Sequence, residues 1–149
     1  MLKNYEINNS TIAIEPIDNN TSRVIEESNI FIVNKNTTEI VNHSCKFFGS
    51  SFLGRREGTK ALTGISYKAP IIIEETKSII FFPTSSPRFD KCYWISLNHI
   101  NDYVSKTGTS TLLLFKNGQN LNVNVSYGSL ENQVLRATRL ESILRHRKI

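Results

Sequence analysis

Clustered and alternating apolar residues divide most of the chain into short strands. Thr11-Ile12-Ala13-Ile14 and Ile30-Phe31-Ile32-Val33 are β-rich runs bounded by Asn-rich turns. Residues 62–66, 71–73 and 79–82 continue the pattern, punctuated by Pro70 and Pro83, and Tyr93-Trp94-Ile95-Ser96-Leu97 adds another run. The sharpest local signal is a hairpin. Residues 111–116 and 119–125 flank Asn117-Gly118, the pair favoured in a two-residue type I′ turn. Leu121, Val123 and Val125 alternate with Asn122 and Asn124, so this strand has one dry face and one wet face.

Beyond residue 126 the apolar period lengthens to that of a helix. The spacing predicts a helix over about 129–146, with Ser129 as N-cap and Glu131 in the first turn. Leu130, Val134, Ala137, Leu140 and Leu144 share one arc and are expected to pack on the sheet. Arg136, Arg139, His146 and Arg147 share a neighbouring arc and are expected to face outward, as a solvated stripe or as phosphate contacts. With neither an internal repeat nor a Pro/Gly/Ser-rich linker, residues 1–149 read as one domain. The predicted class is α+β: mainly antiparallel β over 1–126, closed by a C-terminal amphipathic helix.

A hydrophobic fraction of 39% and a charged fraction of 21% are those of a globular protein able to bury a core. The net charge of +5 is unevenly placed: residues 1–42 carry −3 and residues 43–149 carry +8. That asymmetry points to a polyanion partner for the later part of the chain, although a basic surface also serves solubility. No apolar run follows a basic N-terminal segment, and the apolar stretches at 71–73 and 79–82 are too short to span a bilayer. A cytoplasmic protein without membrane association is expected, with Cys45 and Cys92 as reduced, buried thiols.

Candidate chemistry concentrates in the run from His43 to Thr59, which holds paired aromatics, three glycines, Lys46 and Arg55-Arg56. It reads as a loop that presents cations to a polyanion, and the same composition also fits a solvated turn. A phosphate-binding P-loop does not fit, because Arg55-Arg56 stands where Lys followed by Ser or Thr is required. His43, Cys45, Cys92 and His99 lack the spacings of common zinc sites, and nothing places either histidine beside either thiol. Glu26-Glu27 and Glu74-Glu75 are sequence neighbours, which point to opposite faces of a strand. Trp94 lies within an apolar strand and is expected in the core rather than stacked on bases. No enzymatic signature is present, so neither catalysis nor a cofactor or metal is expected.

Three blocks carry a resemblance: residues 44–59; Phe82-Pro83-Thr84-Ser85-Ser86-Pro87 with Cys92-Tyr93-Trp94-Ile95-Ser96; and Ser126-Tyr127-Gly128-Ser129-Leu130-Glu131-Asn132-Gln133-Val134-Leu135-Arg136. Together with 11–16 and 66–71 they make nearly the whole chain similar to the ComK competence transcription factors of Gram-positive bacteria. The resemblance implies an activator of DNA-uptake genes in the bacterial nucleoid. It further implies binding to paired A/T-rich boxes on double-stranded DNA, largely through the minor groove, as a homodimer that assembles into a tetramer.

A·T-rich minor grooves are narrow and strongly negative, so inserted Arg or Lys is favoured by shape and potential rather than by base-edge readout. Arg55 and Arg56 are therefore the foremost expected groove or phosphate contacts, supported by Lys46 and Lys60. Lys68 and Arg136 match basic positions of the family, and Arg88 and Arg139 are chosen for their charge and setting. Glu57 orients one arginine or is a surface charge. Family members continue into a tail read by an adaptor of the Clp protease. The segment Leu144-Arg145-His146-Arg147-Lys148-Ile149 has no aromatic-Leu-Tyr-Pro element, which puts adaptor binding in doubt and suggests a short or C-terminally truncated member. The rival expectation is a non-activating module that dimerises with a full-length relative and modulates it.

Overall fold

Two antiparallel sheets and three helices make up the computed structural model, which describes residues 1–89 and 91–147. The larger sheet comprises β1 (Thr11–Asp18), β2 (Thr21–Glu26), β3 (Ile30–Val33), β4 (Ile71–Glu74), β5 (Ile79–Pro83) and β6 (Trp94–Ser96), ordered β3-β2-β1-β6-β5-β4. Between its third and fourth strands lie α1 (Thr37–Phe47) and α2 (Phe52–Thr63). The smaller sheet is a meander of β7 (Ile100–Thr107), β8 (Ser110–Phe115) and β9 (Asn120–Val123), followed by α3 (Tyr127–Arg147). The α+β class, the antiparallel pairing and the C-terminal helix are as expected. Lys148 and Ile149 of the C-terminal segment considered above lie outside the described residues.

Both faces of the six-stranded sheet are covered. Ile14, Val24, Ile71, Ile73, Phe81 and Trp94 pack with Ile40, Val41 and Cys45 of α1. On the other face, Ile12, Ile72, Ile80, Phe82 and Ile95 meet Leu113 and Leu121 of the small sheet and Leu130, Ala137, Leu140 and Leu144 of α3. This double burial explains why β4 and β5 are continuous apolar runs rather than alternating ones. Burying each such side chain contributes about 1.5–3 kcal/mol, and Trp94, as expected, is fully buried.

The sequence reading needs five corrections. The run 43–59 is not a loop: it is the end of α1, a tight connection and most of α2. Asn36 and Glu39 form a reciprocal capping box at the start of α1. A Schellman motif ends that helix, with Gly49 N–H on the Lys46 carbonyl, Ser50 N–H on the Cys45 carbonyl, and Gly49 at φ +89°. Ser51 then caps α2 by accepting from Gly54 N–H at 3.0 Å. Residues 62–66, expected as a strand, hold the end of α2 and its left-handed C-cap Gly64.

The β8–β9 hairpin forms where expected, but its turn is not a two-residue type I′, and the longer loop shifts the pairing by one residue, to Leu113 opposite Leu121. Gly118 N–H bonds the Phe115 carbonyl and Gly118 alone in the turn adopts positive φ, +91°, which makes a three-residue loop with a bulge. The cap of α3 lies three residues earlier than expected. The Ser126 hydroxyl accepts from Ser129 N–H at 3.2 Å, so Ser129 stands inside the first turn. Finally, Arg136 does not face outward; it is half-buried, whereas Arg139, His146 and Arg147 are exposed. Among the described residues no helix is long and apolar enough to cross a membrane.

Candidate nucleic-acid interface

Four of the cations singled out by sequence are held around two adjoining hollows at one edge of the α1–α2 layer. Arg56 of α2, Lys68 of the 64–70 connection and Arg88 of the 84–93 connection line a groove of about 350 Å³, together with Phe52, Tyr67 and Pro87. No carboxylate lines it among the described residues. A neighbouring hollow of about 470 Å³ shares Thr38, Phe52 and Pro87 with it and adds Lys46, Glu39 and the exposed Leu53. Lys60 is exposed one turn beyond Arg56 on α2.

Aromatic rings back two of these charges. The Arg56 guanidinium lies over the Phe52 ring, 6.0 Å from its centroid, and the Lys68 ammonium lies over Tyr67 at 5.7 Å. Such placement limits where each cation points without neutralising it. Tyr67, which lines the groove, is itself 63% exposed; Phe89, next to Arg88 in the chain and 61% exposed, lines a separate hollow with Lys91 and Tyr93. Sequence reasoning passed over both. Their signal was present as an aromatic beside each basic residue in a loop between apolar strands.

The two connections are tethered by side-chain hydroxyls and an amide in addition to the burial of Ala69, Cys92 and Tyr93. Thr59 on α2 donates to the Pro70 carbonyl at 2.6 Å. Thr38, in the first turn of α1, donates to the Pro87 carbonyl at 3.1 Å, and Thr37 donates to the Cys92 carbonyl. From the other side, Gln133 of α3 donates to the Lys68 and Pro83 carbonyls at 2.9 and 2.7 Å.

Not every expected cation reaches the groove. Arg55, next in sequence to Arg56, is turned about 100° around the helix and is half-buried, with its Nε enclosed and without a hydrogen-bond partner among the described residues. Its charge is felt instead at Cys45, whose thiol burial pushes up to about 11 despite that opposing influence. Arg136 donates to the Gln133 side-chain oxygen at 2.6 Å and to the Tyr67 carbonyl, and burial lowers its pKa from the usual arginine value. Arg139 is exposed on α3 and lines neither hollow. Glu57 is exposed and pairs with neither arginine among the described residues.

The residues considered for metal or nucleophilic chemistry have structural engagements. His43 meets Glu6 at 2.6 Å, and His99 meets the Ser96 hydroxyl at 2.8 Å. Cys92 is buried, and burial raises its thiol to about 11. A groove of converging cations, two of them backed by aromatic rings, is suited to binding an anionic polymer through charge and stacking.

The comparisons with known proteins point the same way. The family described as ComK protein matches residues 2–148. A competence transcription factor of Bacillus subtilis (strain 168) is 40% identical over 144 residues, which cover 95% of this chain and 75% of that protein. No solved structure gives a significant match. The chain therefore belongs to the ComK family, as a competence transcription regulator.

Proposed function

We propose that this chain activates DNA-uptake genes by binding A/T-rich promoter boxes on double-stranded DNA, largely through the minor groove, as a homodimer that pairs into a tetramer. The observation that carries the reading is the convergence of Arg56, Lys68 and Arg88, from three separate segments, on one groove that no carboxylate lines among the described residues. Lys46 and Lys60 extend this basic surface along α1 and α2, while Arg55 and Arg139 lie outside the groove and contribute longer-range attraction. A narrow A·T minor groove rewards cations by shape and potential, so this recognition needs few unique side chains. Tyr67 and Phe89 add exposed rings beside the cations, suited to sugar or base-edge contact.

A fluorescence-anisotropy titration tests the reading, using a duplex with two A/T-rich boxes, a G·C-rich duplex and a minor-groove competitor at several salt concentrations. Tight, A/T-selective and competitor-sensitive binding with a steep salt dependence is the expected result. Binding that is weak, or indifferent to both sequence and salt, overturns it and favours the non-activating module. A second reading comes from α2, in which Thr59 and Thr63 are the only buried residues. A helix this exposed also fits the major groove, and binding that survives the minor-groove competitor would favour it.

A further inference from the structure

Gln133 is 1% exposed and lies within the buried stripe of α3, between Leu130 and Ala137, yet its amide ends on backbone. Its Nε2 donates to the Lys68 carbonyl at 2.9 Å and to the Pro83 carbonyl at 2.7 Å, so both amide hydrogens are used. Its Oε1 accepts from Arg136 Nη1 at 2.6 Å, and Arg136 Nη2 donates to the Tyr67 carbonyl. One helix turn of α3 thereby grips two successive carbonyls of the Tyr67–Lys68 loop and the last residue of β5, from which the Arg88 loop departs.

Lys68 shows why a grip is needed. Its φ is +48°, a left-handed conformation that costs a non-glycine residue on the order of 1 kcal/mol. Such a conformation persists only where the surroundings over-determine it, and here the Lys68 carbonyl is the group that Gln133 holds. Of the three cations that line the groove, Lys68 thus sits on a segment gripped directly from α3, and Arg88 on one held from α3 at its start, Pro83, and from α1 at Pro87.

We propose that Gln133 and Arg136 are positioning residues for DNA binding, a clamp that holds the Lys68 and Arg88 loops in the geometry that presents both cations to one duplex. The inference rests on the DNA-binding reading and changes the part played by Arg136, which acts through the loops and not by touching phosphate. Without the clamp the loops spend only part of their time in the competent geometry, and apparent affinity falls by that fraction. The number of phosphates neutralised stays the same.

The test is the same A/T-duplex titration on Gln133→Leu, Arg136→Lys, their double variant and Lys68→Ala, each shown by thermal melting to be folded at the assay temperature. Gln133→Leu and Arg136→Lys are each expected to weaken binding about tenfold with an unchanged salt slope. The double variant should be no weaker than either single one, because both remove the same clamp. Lys68→Ala should lower the salt slope by about one. Amide exchange at 65–69 and 84–89 should quicken in the two clamp variants without DNA present.

Lysine keeps the charge of Arg136 but lacks the planar pair of nitrogens with which Arg136 reaches its two acceptors. Wild-type affinity in Arg136→Lys, with a reduced slope in Arg136→Met, would make Arg136 a direct phosphate contact and overturn the proposal. Wild-type affinity in both clamp variants despite lowered melting temperatures would make the network purely structural, which also overturns it. Should Gln133→Leu not fold, Arg136→Lys decides alone. Failure of the wild-type chain to bind the duplex would be a different result, sinking the DNA reading together with the clamp.

Discussion

The indole N–H of Trp94 donates to the Thr38 hydroxyl at 3.2 Å, and that hydroxyl donates onward to the Pro87 carbonyl. A side chain fully buried on the α1 face of the large sheet is thereby linked to the residue that precedes Arg88. Thr38→Val keeps the shape but removes both bonds, leaving a buried N–H unpaired. Urea unfolding should show a loss of about 1–3 kcal/mol. DNA affinity should fall as well, since Pro87 loses its tether; an unchanged affinity would mean that the Arg88 loop is held elsewhere.

Adjacent arginines are expected to separate by function. Arg56→Ala removes a groove cation resting on an exposed face, so it should weaken A/T-duplex binding and lower the salt slope by about one, with little change in melting temperature. Arg55→Ala removes a half-buried stem beside Cys45 and should act mainly on stability, by about 1 kcal/mol. Equal affinity losses with equal salt slopes would return Arg55 to the binding surface.

Gly58 sits in the middle of α2 with open space where a Cβ would be. Packing inside the protein does not require glycine there, and Gly58→Ala should stabilise the fold by about 0.5–1 kcal/mol in thermal or urea unfolding. A simultaneous loss of DNA affinity would show that the exposed face of α2 approaches the duplex closely. Gly54 is different, because a Cβ there would stand 2.9 Å from the Ser50 hydroxyl oxygen.

Burial holds both thiols protonated, with Cys45 and Cys92 each raised to about 11. The folded protein should therefore react slowly with a thiol reagent at pH 8, and both thiols should react promptly after unfolding in urea. A raised folded-state pKa means that the contribution is fully present below the unfolded thiol value and is lost as pH rises through the folded one. Melting temperature is accordingly expected to fall between about pH 9 and pH 11. A Cys45→Ala/Cys92→Ala variant should lose part of that slope, and a slope identical to wild type would contradict this cause.

Several features that escaped the sequence reading have local signals. Asn36 and Glu39 have capping-box spacing, Gly49 stands just past a helix end, and Ser51 precedes the next helix. Together they mark a helix, a stop and a second helix. The aromatic pair, glycines and arginines of that run drew the reading toward a loop, because glycine and charge are also what loops contain. Gly54 and Gly58 have low helix propensity, and tertiary packing of Thr59 and Thr63 against the body overrides it.

What the sequence alone determined is the part of the protein governed by neighbours. The alternation of Leu121 and Val123 with asparagines, the buried Trp94 strand and the apolar arc of α3 follow from side-chain periodicity within single elements. The basic character of residues 43–149 was equally plain. Only the tertiary structure decided which cations meet. Arg56, Lys68 and Arg88 converge because Thr38 reaches 49 residues to Pro87, and Gln133 reaches 50 to Pro83 and 65 to Lys68. Arg136 turns inward because its acceptor on Tyr67 lies 69 residues away. Periodicity records which face of an element is apolar, but a hydrogen bond between distant backbones depends on how the elements stack, and no local pattern encodes that.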